Sequence, residues 1–326
     1  MSMIDMHAHY LSPSVLHQAS AGSLPVGMAP DGRSLRFPSG PSRPVPPTLC
    51  DLTDRLPWMD ERSIDRQILS PWMDITGDDL DPEACARWCR AMNDGTAADM
   101  AGHAGRFGAL AALPVVDGRA AATELGRCVR ELDFVGGAIP TQVAGTDLDE
   151  AGLEPLWEAA SELAAVLFMH PFRVLGASRM RAHFLNNVCG NPFETTLAAL
   201  RLYFDGTFDR WPDLRILLAH GGGVLPTLAG RAVHASRHAP GIERTVDHPD
   251  SILKCFYYDT ILHDHRALAL LLGAVDPSRI VSGTDYPFPM ILDRPTDHAR
   301  EAADQAGLTE DELRRVLSGT AEELLS

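Results

Sequence analysis

Ile4, Met6 and Ala8 alternate with Asp5, His7 and His9 in the segment MIDMHAHY, and this period of two predicts a β-strand. Side chains two apart on a strand share a face, so both imidazoles project together. Seven further short apolar or β-branched runs follow: RQILSPW, FGALAALP, FVGGAIPT, AAVLFMHPF, LRILLAHGG, CFYYDTI and RIVSGTDYP. Between them lie Ala/Leu-rich stretches patterned as helices, among them ACARWCRAMNDGTAADMAGHA, GRAAATELGRCVREL and LEPLWEAASELA. Strands that alternate with helices pair in parallel through right-handed crossovers. Eight such units predict an α/β fold, a (β/α)8 TIM barrel formed by one domain over residues 1–326. LTEDELRRVLSGTAEELL carries a Leu/Val stripe and predicts a closing surface helix.

Residues 12–47 break the rhythm with a Gly-, Pro- and Ser-rich stretch that includes MAPDGRSLRFPSGPSRPVPP. We read it as an insertion after the first strand, with a small hairpin around GRSLRF. Following a strand, it lies over the C-terminal face of the barrel, where a segment of this length serves as a lid.

Charge narrows the choice of partners. The 44 acidic residues outnumber the 28 basic ones, a net −16, and no Lys/Arg-rich tract exists. That balance argues against nucleic acid or an anionic membrane surface, while a few local arginines and a cation still leave room for a small carboxylate substrate. No apolar run is long enough to cross a bilayer, and no signal peptide pattern opens the chain. Six cysteines without a C-x-x-C, two of them (Cys85 and Cys89) one helical turn apart, suit free thiols in a reducing cytoplasm.

The strand ends are where the pattern turns unusual. His7 and His9 close the first run, His170 the fifth, His220 the sixth and Asp285 the eighth. An isolated H-x-H is more often a polar surface than a chelate. Four histidines and an aspartate converging on one barrel mouth instead predict a metal site.

These segments resemble the amidohydrolase superfamily, in its 2-amino-3-carboxymuconate-6-semialdehyde decarboxylase branch. The resemblance rests on IDMHAHY, SRPV, RWCRAMND, MHPF, AHGGG followed by GRA, and SGTDYPFP, in family order over nearly the whole chain. It implies one divalent metal, zinc with manganese as the alternative, held by His7, His9, His170 and Asp285. His220 matches the family's acid/base histidine. Chemistry agrees with that division: three imidazoles and a carboxylate leave an open position, and a further histidine can move a proton. Binuclear members bridge two metals through a carboxylated lysine on strand four, but the single lysine here, Lys254, is far from FVGGAIPT, so the site is expected to be mononuclear. Arg43 in SRPV and Arg231 in GRA match arginines that hold substrate carboxylate. Phe172 and Phe288, in MHPF and SGTDYPFP, join them as substrate-binding candidates. Phe172 stands where the named decarboxylase has tryptophan, and RMRAHFL replaces another Trp-containing patch, which leaves the substrate open. The resemblance also implies a homodimer through the helices after strands five and six.

Two reactions fit this reading. The first is non-oxidative decarboxylation of a small unsaturated or aromatic acid bearing an adjacent hydroxyl, amino or carbonyl group, with His220 or Asp285 delivering the proton. Aromatic-acid members often carry Glu and Ala in place of the H-x-H pair, so the intact pair leans toward the semialdehyde side. The second is hydrolysis of a lactone or amide at the same metal.

Overall fold

The computed structural model describes residues 2–103 and 105–326. Eight strands run in chain order: β1 Met3–His9, β2 Ile64–Ser70, β3 Phe107–Ala112, β4 Gly136–Ile139, β5 Val166–Met169, β6 Arg215–Leu218, β7 Phe256–Asp259 and β8 Ile280–Val281. Each pairs in parallel with the next. The barrel closes where Met6 N donates to Ser282 O (2.9 Å) and His9 N to Tyr286 O (2.7 Å). All eight runs read from the sequence are therefore strands of one (β/α)8 barrel.

The strands read as unbroken apolar runs because both faces are covered. Ile68, Leu110, Ala138, Phe168, Leu217 and Val281, one from each of six strands, share one buried cluster. Their neighbours Leu69, Ala111, Ile139, Leu167, Ile216 and Ile280 belong to another that takes in the surrounding helices. β8 is only two residues long. Beyond it SGTDYP leaves strand geometry, with Asp285 at φ 62°, and hydrogen-bonds back onto β1.

The insertion is more ordered than its composition suggests. It opens with a helix, Pro13–Ser20, that the sequence pattern did not reveal because only Val15 and Ala19 are buried along it. Ser12 caps this helix and proline occupies its first turn, where a missing N–H costs nothing. The expected hairpin is present as part of a three-stranded antiparallel sheet, Gly27–Met28, Ser34–Arg36 and Arg43–Pro44. Val26, Leu35, Phe37 and Leu49 pack with Ile75 and Trp88, and Trp72 and Phe288 lean on the same cluster. That packing sets the insertion beside the barrel mouth.

Candidate metal centre

Period-two geometry on β1 brings His7 and His9 together, with Nε2 atoms 3.2 Å apart. Asp285 N donates to His7 O (2.9 Å), which seats the carboxylate beside them. Asp285 Oδ1 lies 3.4 Å from His7 Nε2 and 3.3 Å from His9 Nε2. His170 reaches the same point from the end of β5, its ring 5.2 Å from His7 and 4.9 Å from His9. His220 follows β6 and places Nε2 3.7 Å from Asp285 Oδ2. One donor atom each from His7, His170, His220 and Asp285 fall within 4.8 Å of one another. His9 adjoins this group through His7 and Asp285.

Three of the four rings are tethered at their other nitrogen. His7 Nδ1 meets Asp259 Oδ2 at 2.7 Å, His9 Nδ1 meets Pro71 O at 3.2 Å, and His170 Nδ1 meets Pro171 O at 3.1 Å. Because carboxylate and carbonyl oxygens only accept, each Nδ1 donates and each Nε2 presents its lone pair inward. Outer partners of this kind orient metal-ligating histidines. His220 differs: its Nδ1 is buried and unpartnered.

Converging lone pairs beside a carboxylate repel unless a positive charge sits among them. Asp285 Oδ1 is buried with no hydrogen-bond partner, an orphaned acceptor aimed into the cluster. The protein alone meets this demand with a proton. Burial would discharge His7, but its hydrogen bond to Asp259 and the nearby Asp285 carboxylate outweigh that and push it up to about 10. Burial would also raise Asp285, yet the surrounding imidazoles of His220, His7 and His9 hold it well below the usual carboxylate range. Burial, with neighbouring His9, His220 and His7, holds His170 well below the usual imidazole range. This donor set fits one divalent cation, which would replace that proton.

A cavity of about 450 Å³ adjoins the cluster, lined by His170, His220 and Asp285 together with Trp72, Phe172, Phe288 and Met290. Of the expected substrate-binding residues, Phe172 and Phe288 line it. Arg43 does not: it stacks on Phe37 (3.9 Å to the ring centroid) and pairs with Asp79 (3.4 Å). Its charge is felt at the cavity-lining Asp74, whose carboxyl burial raises and Arg43 counteracts. Arg231 sits exposed on the helix Leu225–His238, outside the cavity walls.

The Amidohydrolase family matches residues 4–326. The chain belongs to that family. Among its amidohydrolase relatives is 2-amino-3-carboxymuconate-6-semialdehyde decarboxylase from Dictyostelium discoideum, 32% identical over 72% of this chain and 66% of that protein. Gamma-resorcylate decarboxylase from Polaromonas sp. is 30% identical over 85% of this chain and 88% of the relative. A solved amidohydrolase-fold structure, dihydroxybenzoic acid decarboxylase from Polaromonas sp. JS666 with bound manganese and the inhibitor 2-nitroresorcinol, superposes with a TM-score of 0.79. It is 26% identical and covers 99% of this chain and 96% of that one. The chain therefore stands in the decarboxylase branch of the amidohydrolases.

Sequence reading missed the groups that hold these side chains in place. Asp259, fully buried at the end of β7, accepts from His7 Nδ1, His220 N (2.9 Å), Gly221 N (2.8 Å) and Ile261 N (3.0 Å). Burial opposes its charge, but the His7 contact and these amides hold its carboxyl below the ordinary value. Beneath lies a second buried carboxylate, Asp5, which burial pushes up to about 6 against hydrogen bonds from Thr284 (2.6 Å) and Gln67 (2.7 Å). Gln67 continues to Arg55 (2.8 Å), which donates to His9 O (2.8 Å). The signal existed for two of them: Asp259 ends an apolar run, and Asp5 shares the alternation of His7 and His9.

Asp259→Asn should weaken metal affinity about 10- to 100-fold, because the amide no longer fixes the His7 tautomer with a charged acceptor. Titration against a competing chelator measures this, and an unchanged affinity would remove Asp259 from the site.

Proposed function

We propose that the protein is a metal-dependent, non-oxidative decarboxylase of a small unsaturated or aromatic acid with an adjacent hydroxyl, amino or carbonyl group. The observation that carries this reading is the contrast among the histidines, three with anchored Nδ1 atoms and one, His220, without. His7, His9, His170 and Asp285 hold one divalent ion. Zinc suits three imidazoles and a carboxylate, and the manganese of the Polaromonas structure is the alternative. When bound, the ion supplies Lewis-acid charge to the substrate oxygen beside the reacting carbon.

The chain's own residues do the rest. Phe172, Phe288 and Trp72 exclude water around the flat carbon framework of the substrate. As the C–C bond to the carboxylate breaks, its electron pair stays on the substrate carbon and CO2 leaves. A proton then reaches that carbon from His220, or from Asp285 if the substrate is an aromatic acid. Purified protein with about one divalent ion per chain should release CO2 from such acids. Ring opening of lactones without CO2 release from any acid would favour hydrolysis.

Among the described residues, five of the six exposed large apolar ones, Leu175, Phe184, Val188, Phe193 and Leu197, fall within residues 175–197. Such clustering supports a homodimer through this face. The helix Asn191–Asp205 in it packs on the helix that carries Arg231, so the exposed guanidinium reaches a substrate across the interface. Arg43 reaches its own cavity by exchanging Asp79 for substrate. No helix among the described residues is long and apolar enough to cross a membrane, and six free cysteines favour the cytoplasm.

Losing a charge-assisted carboxylate contact costs about 1.5–3 kcal/mol. Arg43→Ala and Arg231→Ala should each therefore lower kcat/KM roughly 10- to 150-fold with metal content unchanged. Sedimentation should show a dimer. Full activity in both variants, or an active monomer, would refute these contacts.

A further inference from the structure

Within one chain, the guanidinium that faces the cavity is neither Arg43 nor Arg231. It is Arg173, three residues beyond His170 on the loop that follows β5. Its backbone takes a left-handed conformation, φ 56°, which disfavours a non-glycine residue and needs support from its surroundings. Gln142 Nε2 supplies that support by donating to Arg173 O at 2.7 Å. The side chain lies beside the Phe172 ring, 5.1 Å from Cζ to centroid. One hydrogen bond, from Nη2 to Asp78 Oδ1 at 3.0 Å, fixes one edge of the fork. Asp78 is itself buried, with 1% of its side chain exposed, whereas Arg173 keeps 37%. Guanidinium carries five donors in a rigid plane, so most remain available at the cavity wall.

The placement matters as much as the charge. His170, His220 and Asp285 line the same cavity as Arg173. A substrate seated there directs the carboxylate it loses and the neighbouring oxygen toward the cluster. Moving outward from His170, the chain passes Pro171 and Phe172 before presenting Arg173. Phe172 thus stands between His170 and Arg173 along the chain, and both flanking residues line the cavity. A monoacid that engages the cluster leaves Arg173 without a carboxylate partner.

We propose that Arg173 determines specificity by holding a second carboxylate of the substrate, remote from the one released as CO2, so that the enzyme prefers diacids. This rests on the decarboxylase reading above. Arg173 acts as a preorganised fork, with Asp78 fixing one edge and Phe172 one face, and the second carboxylate completes its hydrogen bonding. Bidentate geometry makes lysine an incomplete substitute.

The test is calorimetric binding to zinc-loaded protein of a matched pair, 4-hydroxyisophthalate and salicylate, which differ by one carboxylate. Wild type should bind the diacid at least about 10-fold more tightly. Arg173→Gln should abolish that preference while leaving the salicylate Kd within about twofold, and Arg173→Lys should restore part of it. Equal affinity for the two acids in wild type, or absence of binding by either, would overturn the proposal. So would an equal loss for both acids in Arg173→Gln, because an ion pair that merely ties two loops together would weaken every ligand alike. CO2 release is scored separately. A diacid preference that depends on Arg173, without turnover, supports the carboxylate site while refuting decarboxylation.

Discussion

Asp285→Ala protein should purify nearly free of divalent metal and show no measurable turnover. Among the described residues Asp285 is the only carboxylate in the inward-facing donor cluster, and His7, His9 and His220 all lie within 3.7 Å of its oxygens. Removing it leaves imidazole lone pairs with no anionic partner. Changing an outer partner of a ligand typically costs about 10- to 100-fold in metal affinity, so loss of a charged ligand should exceed about 100-fold. Elemental analysis of the purified variant and chelator competition give the two readings. Thermal unfolding of metal-stripped variant and wild type should nearly coincide, which separates ligand loss from a folding defect. Stoichiometric zinc or manganese in Asp285→Ala would exclude it as a ligand.

The barrel was legible because strand periodicity and helix periodicity differ, and each β/α unit wrote both into the sequence. Where both faces of a strand are buried, as at Val166–Met169, the run is apolar throughout and its polar terminus, His170, stands out. Asp285 stood out for the same reason, although β8 ends four residues earlier. What escaped was held by contacts between distant segments. Asp259 joins β7 to His7, 252 residues away, and to the HGGG turn. Arg55 reaches His9 O from the helix Arg55–Glu61, where an arginine reads by default as a solvated surface group. Yet it is fully buried against Gln67 and lies over the Tyr286 ring at 4.5 Å. The turn itself is more specific than its letters imply. Gly223, at φ 65°, leaves only 2.1 Å between a Cβ and Pro192 O, so a side chain there would displace the neighbouring helix. Arg173 gave no signal of its own, because an arginine on the loop just after MHPF reads by default as a solvated surface group.

His220→Asn should retain close to one metal ion per chain while turnover falls about 10²-fold or more, the usual worth of a positioned acid/base. Asparagine is the informative replacement because His220 sits at φ 56°, a left-handed conformation that asparagine adopts more readily than alanine. His220 and His9 compete for one role. Distance alone groups His220 with His7, His170 and Asp285. Tethering separates it from them: His9 Nδ1 is fixed by Pro71 O, whereas His220 Nδ1 has no partner and only its backbone N–H is bound, to Asp259. A ligand gains from a fixed tautomer, while a group that must take up and release a proton gains from an uncommitted nitrogen. The paired variant His9→Asn should accordingly lose metal and activity together. The reverse result, metal lost with His220 and kept with His9, would make His220 the third imidazole ligand and leave proton delivery to another group.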